Sequence, residues 1–224
     1  MSPAPASRPL ALGEPADEFT SAEKALGALS DVVQMIGRDD LHRPTPCRDF
    51  DVTTLADHLL DTISRLGVAA GIQTPAPNGD SIDHRIQQLT QPILAGWHRR
   101  GLTDEVVFSG RKLPAHLALG ILSVELLVHS WDFAVALHRC LHVSGAHAAH
   151  VLDLARQTLT AQSRATAGFD PPVPVPGNAS AFDRLIAFTG RDPLQMNRRG
   201  STAGKVRGVA GCGCSLTYTE TRPE

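Results

Sequence analysis

Apolar residues recur along the chain at steps of three and four, the spacing that lines one face of a helix. The first such stripe is Ala22, Ala25, Leu26, Leu29, Val32, Val33 and Ile36, which predicts a helix from near Thr20 to Ile36. Thr20 or Ser21 would cap its start and Gly37 its end. Asp39–Phe50, punctuated by Pro44 and Pro46, reads as a structured loop. Asp51 then caps a second helix running to about Ala70, striped by Val52, Leu55, Leu59, Ile63 and Leu66. After a Pro/Gly loop, Ser81 caps a third helix to about Arg100, with Ile82, Ile86, Leu89, Ile93, Leu94 and Trp97 facing inward. Pro92 falls inside that pattern and should kink or split it. Leu102–Lys112 reads as irregular, with a brief extended piece at Val106–Phe108, and no segment alternates as a convincing strand.

Pro114 suits the first turn of a fourth helix that continues to about Arg139. Its centre, Leu117–Leu137, is apolar nearly all the way round, the mark of a helix buried among others. A fifth, weakly amphipathic helix is expected over Ala146–Thr166, then extended proline-rich coil over Gly168–Gly177, then a short helix over Ser180–Thr189 closed by Gly190. Four near-antiparallel core helices with helical additions make an all-α, up-down bundle. The expected organisation is a flexible N-terminal arm over 1–19, a bundle domain over 20–194, and a Gly-rich disordered tail over 195–224.

The exceptions to the apolar pattern carry the chemistry. Glu125, His129 and Asp132 share one stripe, within about 60° of one another around the greasy fourth helix. Leaving them buried and unpaired costs several kcal/mol each by order of magnitude. Two readings compensate that cost: a divalent cation held by Glu125 and His129 one turn apart, or a Glu–His hydrogen bond that orients two helices. His58 lies beside the stripe of the second helix and, taken alone, reads as a satisfied core histidine. Cys47 reads as a small buried hydrophobe. His138, His142, His147 and His150 crowd one junction, mostly facing solvent, and the Cys212–Cys214 pair lacks the partners that a zinc site needs.

Composition narrows the function classes. With 224 residues, 42% hydrophobic content and 20% charge, the chain is an ordinary globular protein with room for one sizeable domain. A net charge of −2 and no basic stripe argue against nucleic-acid binding. The apolar run Leu113–Val124 is too short to span a membrane, and the N-terminus lacks a secretory pattern. Four scattered cysteines do not make a disulfide framework, so a reducing cytoplasm is the expected compartment.

Three blocks, TPCRDFDVTTLADHLL (Thr45–Leu60), VELLVHSWDFAVAL (Val124–Leu137) and PPVPVPGNASAFDRLIAFTGRDP (Pro171–Pro193), together resemble a known family. They are similar to the actinobacterial metal-binding proteins related to mycothiol-dependent maleylpyruvate isomerase, in the DinB-like superfamily. The resemblance covers roughly Ser21 to Leu194. It implies a DinB-like four-helix bundle whose core holds a divalent metal on one histidine of the second helix and an E-x3-H of the last bundle helix. Those positions are His58, Glu125 and His129 here, with Asp132 as the acceptor that fixes a ligand imidazole or nearby backbone. Zinc is the expected ion, and the same set suits nickel or iron. The implied chemistry is a transferase or isomerase reaction in which a low-molecular-weight thiol such as mycothiol meets a small electrophilic substrate. The alternative is a non-catalytic metal-binding protein of stress response or regulation. The isomerase carries an additional C-terminal domain that this chain does not match in length after Pro193, so maleylpyruvate isomerisation itself is not expected.

Overall fold

A computed structural model describes residues 17–79, 81–167 and 169–195. The chain is mostly helical: α1 (Glu18–Val33), α2 (Val52–Ala69), α3 (Ile82–Arg100), α4 (Ala115–Ala136), α5 (Gly145–Thr158), α6 (Ala161–Ala167) and α7 (Ala181–Phe188). Among the described residues it is all-α apart from one hairpin, β1 (Glu105–Phe108) with β2 (Arg111–Pro114). Of the arm expected over 1–19 and the tail expected over 195–224, residues 1–16 and 196–224 lie outside the described residues, while Glu18 and Phe19 belong to α1.

Side-chain caps start most of these helices. Asp51 accepts from the Thr54 amide at 2.8 Å, Ser81 from His84 at 3.1 Å, Ser144 from His147 at 3.2 Å and Ser180 from Asp183 at 3.0 Å. Each bond satisfies one of the amides that a helix N-terminus leaves without a partner, a contribution of about 1 kcal/mol. The start of α1 differs from the Thr20 or Ser21 cap expected of the sequence. Asp17 takes that role, accepting from the Thr20 amide at 2.8 Å, and moves the first turn two residues earlier. The helix also stops at Val33, before Gly37, which instead opens a single 3-10 turn over Arg38–Asp40.

α4 is the centre of the molecule, packed against α1, α2, α5 and the hairpin. Leu119, Leu122, Leu126, Leu127, Val128 and Phe133 are wholly buried on it. Each such side chain gains roughly 1.5–3 kcal/mol from leaving water. By length and composition α4 could cross a bilayer, but it is almost entirely enclosed by the rest of the protein, as befits a core helix. Its length exceeds the Leu113–Val124 run because Glu125, His129 and Asp132 continue it without breaking burial.

Three further expectations are corrected. The irregular stretch after α3 is an antiparallel hairpin, in register Phe108↔Arg111 across Ser109 and Gly110. Both turn residues have positive φ (50° and 77°), the type of two-residue turn that matches strand twist. Only Val106 is buried in β1, so the four-residue strand never develops a readable alternation. Of the kink or split expected at Pro92, the split does not occur: α3 runs unbroken through it. The carbonyl it leaves without a helical donor belongs to exposed Gln88, where water can satisfy it. The long fifth helix is two: α5 ends at Leu159, whose ψ of 73° leaves the helical region, and Thr160 caps α6 by accepting from Ser163 at 3.2 Å.

Candidate metal centre

Two local structures deliver the centre. On one side, Asp51 and Thr54 form a reciprocal capping box, with the Asp51 amide donating to Thr54 Oγ1 at 2.9 Å. The loop before it is closed by Thr45, whose amide and hydroxyl both donate to the Phe50 carbonyl at 3.0 and 2.9 Å. Phe50 is thereby held with its ring 5.2 Å from that of His58, in the second turn of α2. Cys47, in the same loop, is buried, and burial pushes its thiol up to about 12, so it remains protonated. On the other side, α4 presents Glu125, His129 and Asp132 along one buried stripe.

The three sequence-designated ligands converge. Glu125 Oε2 is 3.2 Å from His129 Nε2 and 3.8 Å from His58 Nε2. The two imidazoles stand edge to face, 5.4 Å apart at 88°. One ligand atom from each of the three residues lies within 4.8 Å of the other two. Glu125 Oε2 and His129 Nε2 are fully enclosed yet have no well-aligned hydrogen-bond partner. Two buried lone-pair atoms without partners, aimed at one point, cost stability unless something electropositive lies between them. His129 is 2% exposed and Glu125 9% at the side chain, whereas His58 is 27%, so the centre opens to solvent on the His58 side.

Asp132 lies against His129: its Oδ2 accepts from His129 Nδ1–H at 2.8 Å, which places a ring proton on Nδ1 and turns Nε2 toward Glu125. A residue not anticipated from sequence completes this support. Arg191, just after α7, donates Nε to Asp132 Oδ1 at 3.0 Å and Nη2 to Oδ2 at 2.8 Å, and Nη1 to the Thr189 carbonyl at 3.0 Å. The available signal was indirect: a carboxylate on a nearly all-apolar helix needs charged or hydrogen-bonding partners, and α4 has no Lys or Arg to offer.

The electrostatics are consistent with a site built for a cation. Burial works to raise both carboxyls, but His129 and His58 overcome it at Glu125, and Arg191 and His129 at Asp132, holding each below its usual range. Burial likewise opposes charge on His129, and Asp132 and Glu125 outweigh it, raising that imidazole. His58 is lowered by burial and by His129 beside it. Two carboxylates face one guanidinium, and the second negative charge is what favours a proton on His129 in the metal-free chain. A divalent ion between His58, Glu125 and His129 would take over that role and give the orphaned atoms partners. Cys47, His129 and Asp132 also lie within 4.8 Å of one another. That second grouping is a poor cation site, since Asp132 is already engaged by Arg191, whose positive charge would repel the ion.

Of the four crowded histidines, His138 and His142 are exposed, His150 is half-buried and His147 is buried against Ser21. Among the described residues, none of the four joins a cluster with metal-ligand geometry.

No family model matches the chain and no solved structure matches it. Two curated relatives do, "Uncharacterized protein MT0763" and "Uncharacterized protein Rv0738", both from Mycobacterium tuberculosis (strains CDC 1551 / Oshkosh and H37Rv). Each is 25% identical over 180 residues, an alignment covering 78% of this chain and 98% of the relative.

Proposed function

We propose that this is a divalent-metal-binding protein of the DinB-like type, its metal held by His58, Glu125 and His129 in an up-down four-helix bundle formed by α1 to α4. The observation that carries this reading is the convergence of Glu125 Oε2 and His129 Nε2, both buried and without hydrogen-bond partners, beside His58 Nε2. Two imidazoles and one carboxylate are a set that holds zinc with coordination positions left open, and the same set suits iron or nickel. We further propose that the protein acts in the cytoplasm with a low-molecular-weight thiol such as mycothiol, as a transferase or isomerase on a small electrophilic molecule. That part rests on the family resemblance and on the half-exposed His58 edge, through which a small molecule can reach the centre.

When bound, the cation supplies Lewis acidity and lowers the pKa of a thiol that reaches it. The chain's own residues prepare that site. His58 and His129 present Nε2 lone pairs, Glu125 presents Oε2, and Asp132 keeps the His129 proton on Nδ1. Phe50 and the apolar body of α4 exclude water from the inner side. Cys47, whose thiol lies within 4.8 Å of ligand atoms of His129 and Asp132, is buried and protonated and so is not poised as a nucleophile.

The test loads the metal-free chain with cobalt and titrates it with mycothiol and with simple thiols. A sulfur-to-cobalt charge-transfer band, preferentially with mycothiol and lost in His58→Ala and Glu125→Ala, is the expected result. Absence of the band, together with no turnover of any electrophile tried, refutes the thiol-dependent enzyme and leaves a non-catalytic metal-binding protein.

A further inference from the structure

Arg191 lies in a sharp turn after α7, far in sequence from any metal ligand, and yet it is 6% exposed and locked onto the carboxylate that meets His129 Nδ1. Its position is determined by four neighbours, Ile186, Gly190, Thr189 and Phe169. α7 packs chiefly against α5, and its Ile186 also meets Trp131 and Val135 of α4, on either side of Asp132. Gly190, at a φ of 87°, turns the chain back toward α4. The Thr189 carbonyl and the face of Phe169, 5.4 Å from the guanidinium carbon, hold the head group.

A single point charge near Asp132 would offset its burial. The fork does more: it engages both carboxylate oxygens and so sets the plane of the carboxylate as well as its charge. With that plane set, Oδ2 faces His129 Nδ1 at 2.8 Å. An Asp132 free to rotate would release that proton, and the His129 ring could then turn or adopt the tautomer that blocks Nε2. If α7 needed only to be held down, an apolar contact would serve as well, because a buried ion pair gains little over well-packed hydrophobic groups.

Resting on the metal-centre reading, we infer that Arg191 is a positioning residue: through its fork to Asp132, it orients His129 with Nδ1 protonated and Nε2 free for the metal. The segment after α5 is in this way part of the centre and not an appendage to it. Arg48, from the loop that carries Phe50, pairs with Asp170 at 2.7 Å and ties the other wall of the centre to the same segment.

The test uses the full chain with zinc alone as the probe, in unaltered protein, Arg191→Lys and Arg191→Met. Chelator competition should show zinc bound about 10–100-fold more weakly in Arg191→Met, the usual loss when a ligand's outer hydrogen-bond partner is removed, with Arg191→Lys between the two. In metal-free, histidine-labelled protein, nitrogen NMR should show a slowly exchanging Nδ1–H of His129, lost to solvent exchange in Arg191→Met. A merely structural Arg191 would lower the melting temperature but leave the zinc affinity of the folded chain and that Nδ1–H signal as they were, and this pair of results overturns the inference. If Arg191→Met does not fold, Arg191→Lys decides: unchanged affinity and an unchanged signal overturn the role of the fork. Absence of the signal from the unaltered chain overturns it outright. Failure of the unaltered chain to bind zinc overturns the metal-centre reading instead, and the Nδ1–H signal still decides the role of Arg191.

Discussion

Replacing His58 with alanine separates metal binding from packing, because His58 is the ligand that contributes least to the core. Its side chain is 27% exposed, and its ring contacts are Phe50 at 5.2 Å and the edge of His129 at 5.4 Å. Losing those contacts should cost the metal-free protein about 1 kcal/mol. The zinc-loaded protein should respond very differently. At a free zinc concentration about 1,000 times Kd, binding adds roughly 4 kcal/mol to the stability of the intact chain. For a chain of 224 residues, that corresponds to a melting-temperature rise of roughly 8–16 °C. Removing one of three ligands with an affinity loss of about 100-fold leaves the same zinc at about ten times Kd, worth roughly 1.4 kcal/mol, or about 3–6 °C. The assay is scanning calorimetry on chelator-stripped protein with and without zinc, for the intact chain, His58→Ala and His142→Ala. His142, exposed and remote in sequence, is the control for adventitious binding by a chain with ten histidines, and its replacement should leave the rise intact. An equal zinc-dependent rise in His58→Ala, or none in the intact chain, would refute the assignment.

Three further outcomes follow from the geometry. Burial holds His147 neutral with a pKa of about 4, its Nε2–H donated to the Ser21 carbonyl at 3.1 Å. Because the unfolded imidazole takes up its proton near about 6.5, this stabilisation is present above that pH and lost as pH falls toward the folded value, a loss of roughly 3 kcal/mol. Urea midpoints followed from about pH 7 to about pH 4.5 should show a shallower acid decline in His147→Gln than in the intact chain, and parallel declines would contradict the reading. Gly190→Ala should cost about 1–3 kcal/mol and weaken zinc binding by displacing Arg191, since its φ is 87° and a Cβ would lie 2.6 Å from Asp170 Cβ and O; an unchanged urea midpoint counts against that. Cys47 should resist alkylation in the native chain and react once the chain is unfolded, as peptide mapping would show, and rapid native labelling would mean that the loop opens.

Much of the helical framework was legible because it is written in local terms. Asp51 and Ser81 are caps that work through their own next turn, and the stripes of α2 and α3 need no tertiary information. The same holds for the stripe of Glu125, His129 and Asp132, whose shared face follows from helical geometry alone. The misses occurred where one local signal competed with another. Asp17 outcompeted Thr20 and Ser21 for the same helix end. Thr160 restarted a helix inside what reads as one amphipathic run. The Ser109–Gly110 dipeptide was a hairpin signal obscured by strands too short to alternate. Arg191 was illegible for a different reason. Its pairing with Asp132 spans 59 residues and depends on how α7 docks, which no periodicity records. His58 read alone as a core histidine and was assigned to the metal only through the family resemblance, because one histidine beside an apolar stripe has the same sequence appearance whether or not it meets a carboxylate, as it does here with Glu125 at 3.8 Å.

The most direct test of the metal centre is elemental analysis of the untagged chain, purified without chelator, beside Glu125→Ala and His129→Ala prepared in the same way. The account predicts about one divalent ion per intact chain and little in either variant, since each removes a ligand from a three-residue site. An intact chain without metal that also fails to take up zinc, nickel or iron on addition would contradict it, as would metal retained at equal stoichiometry in both variants.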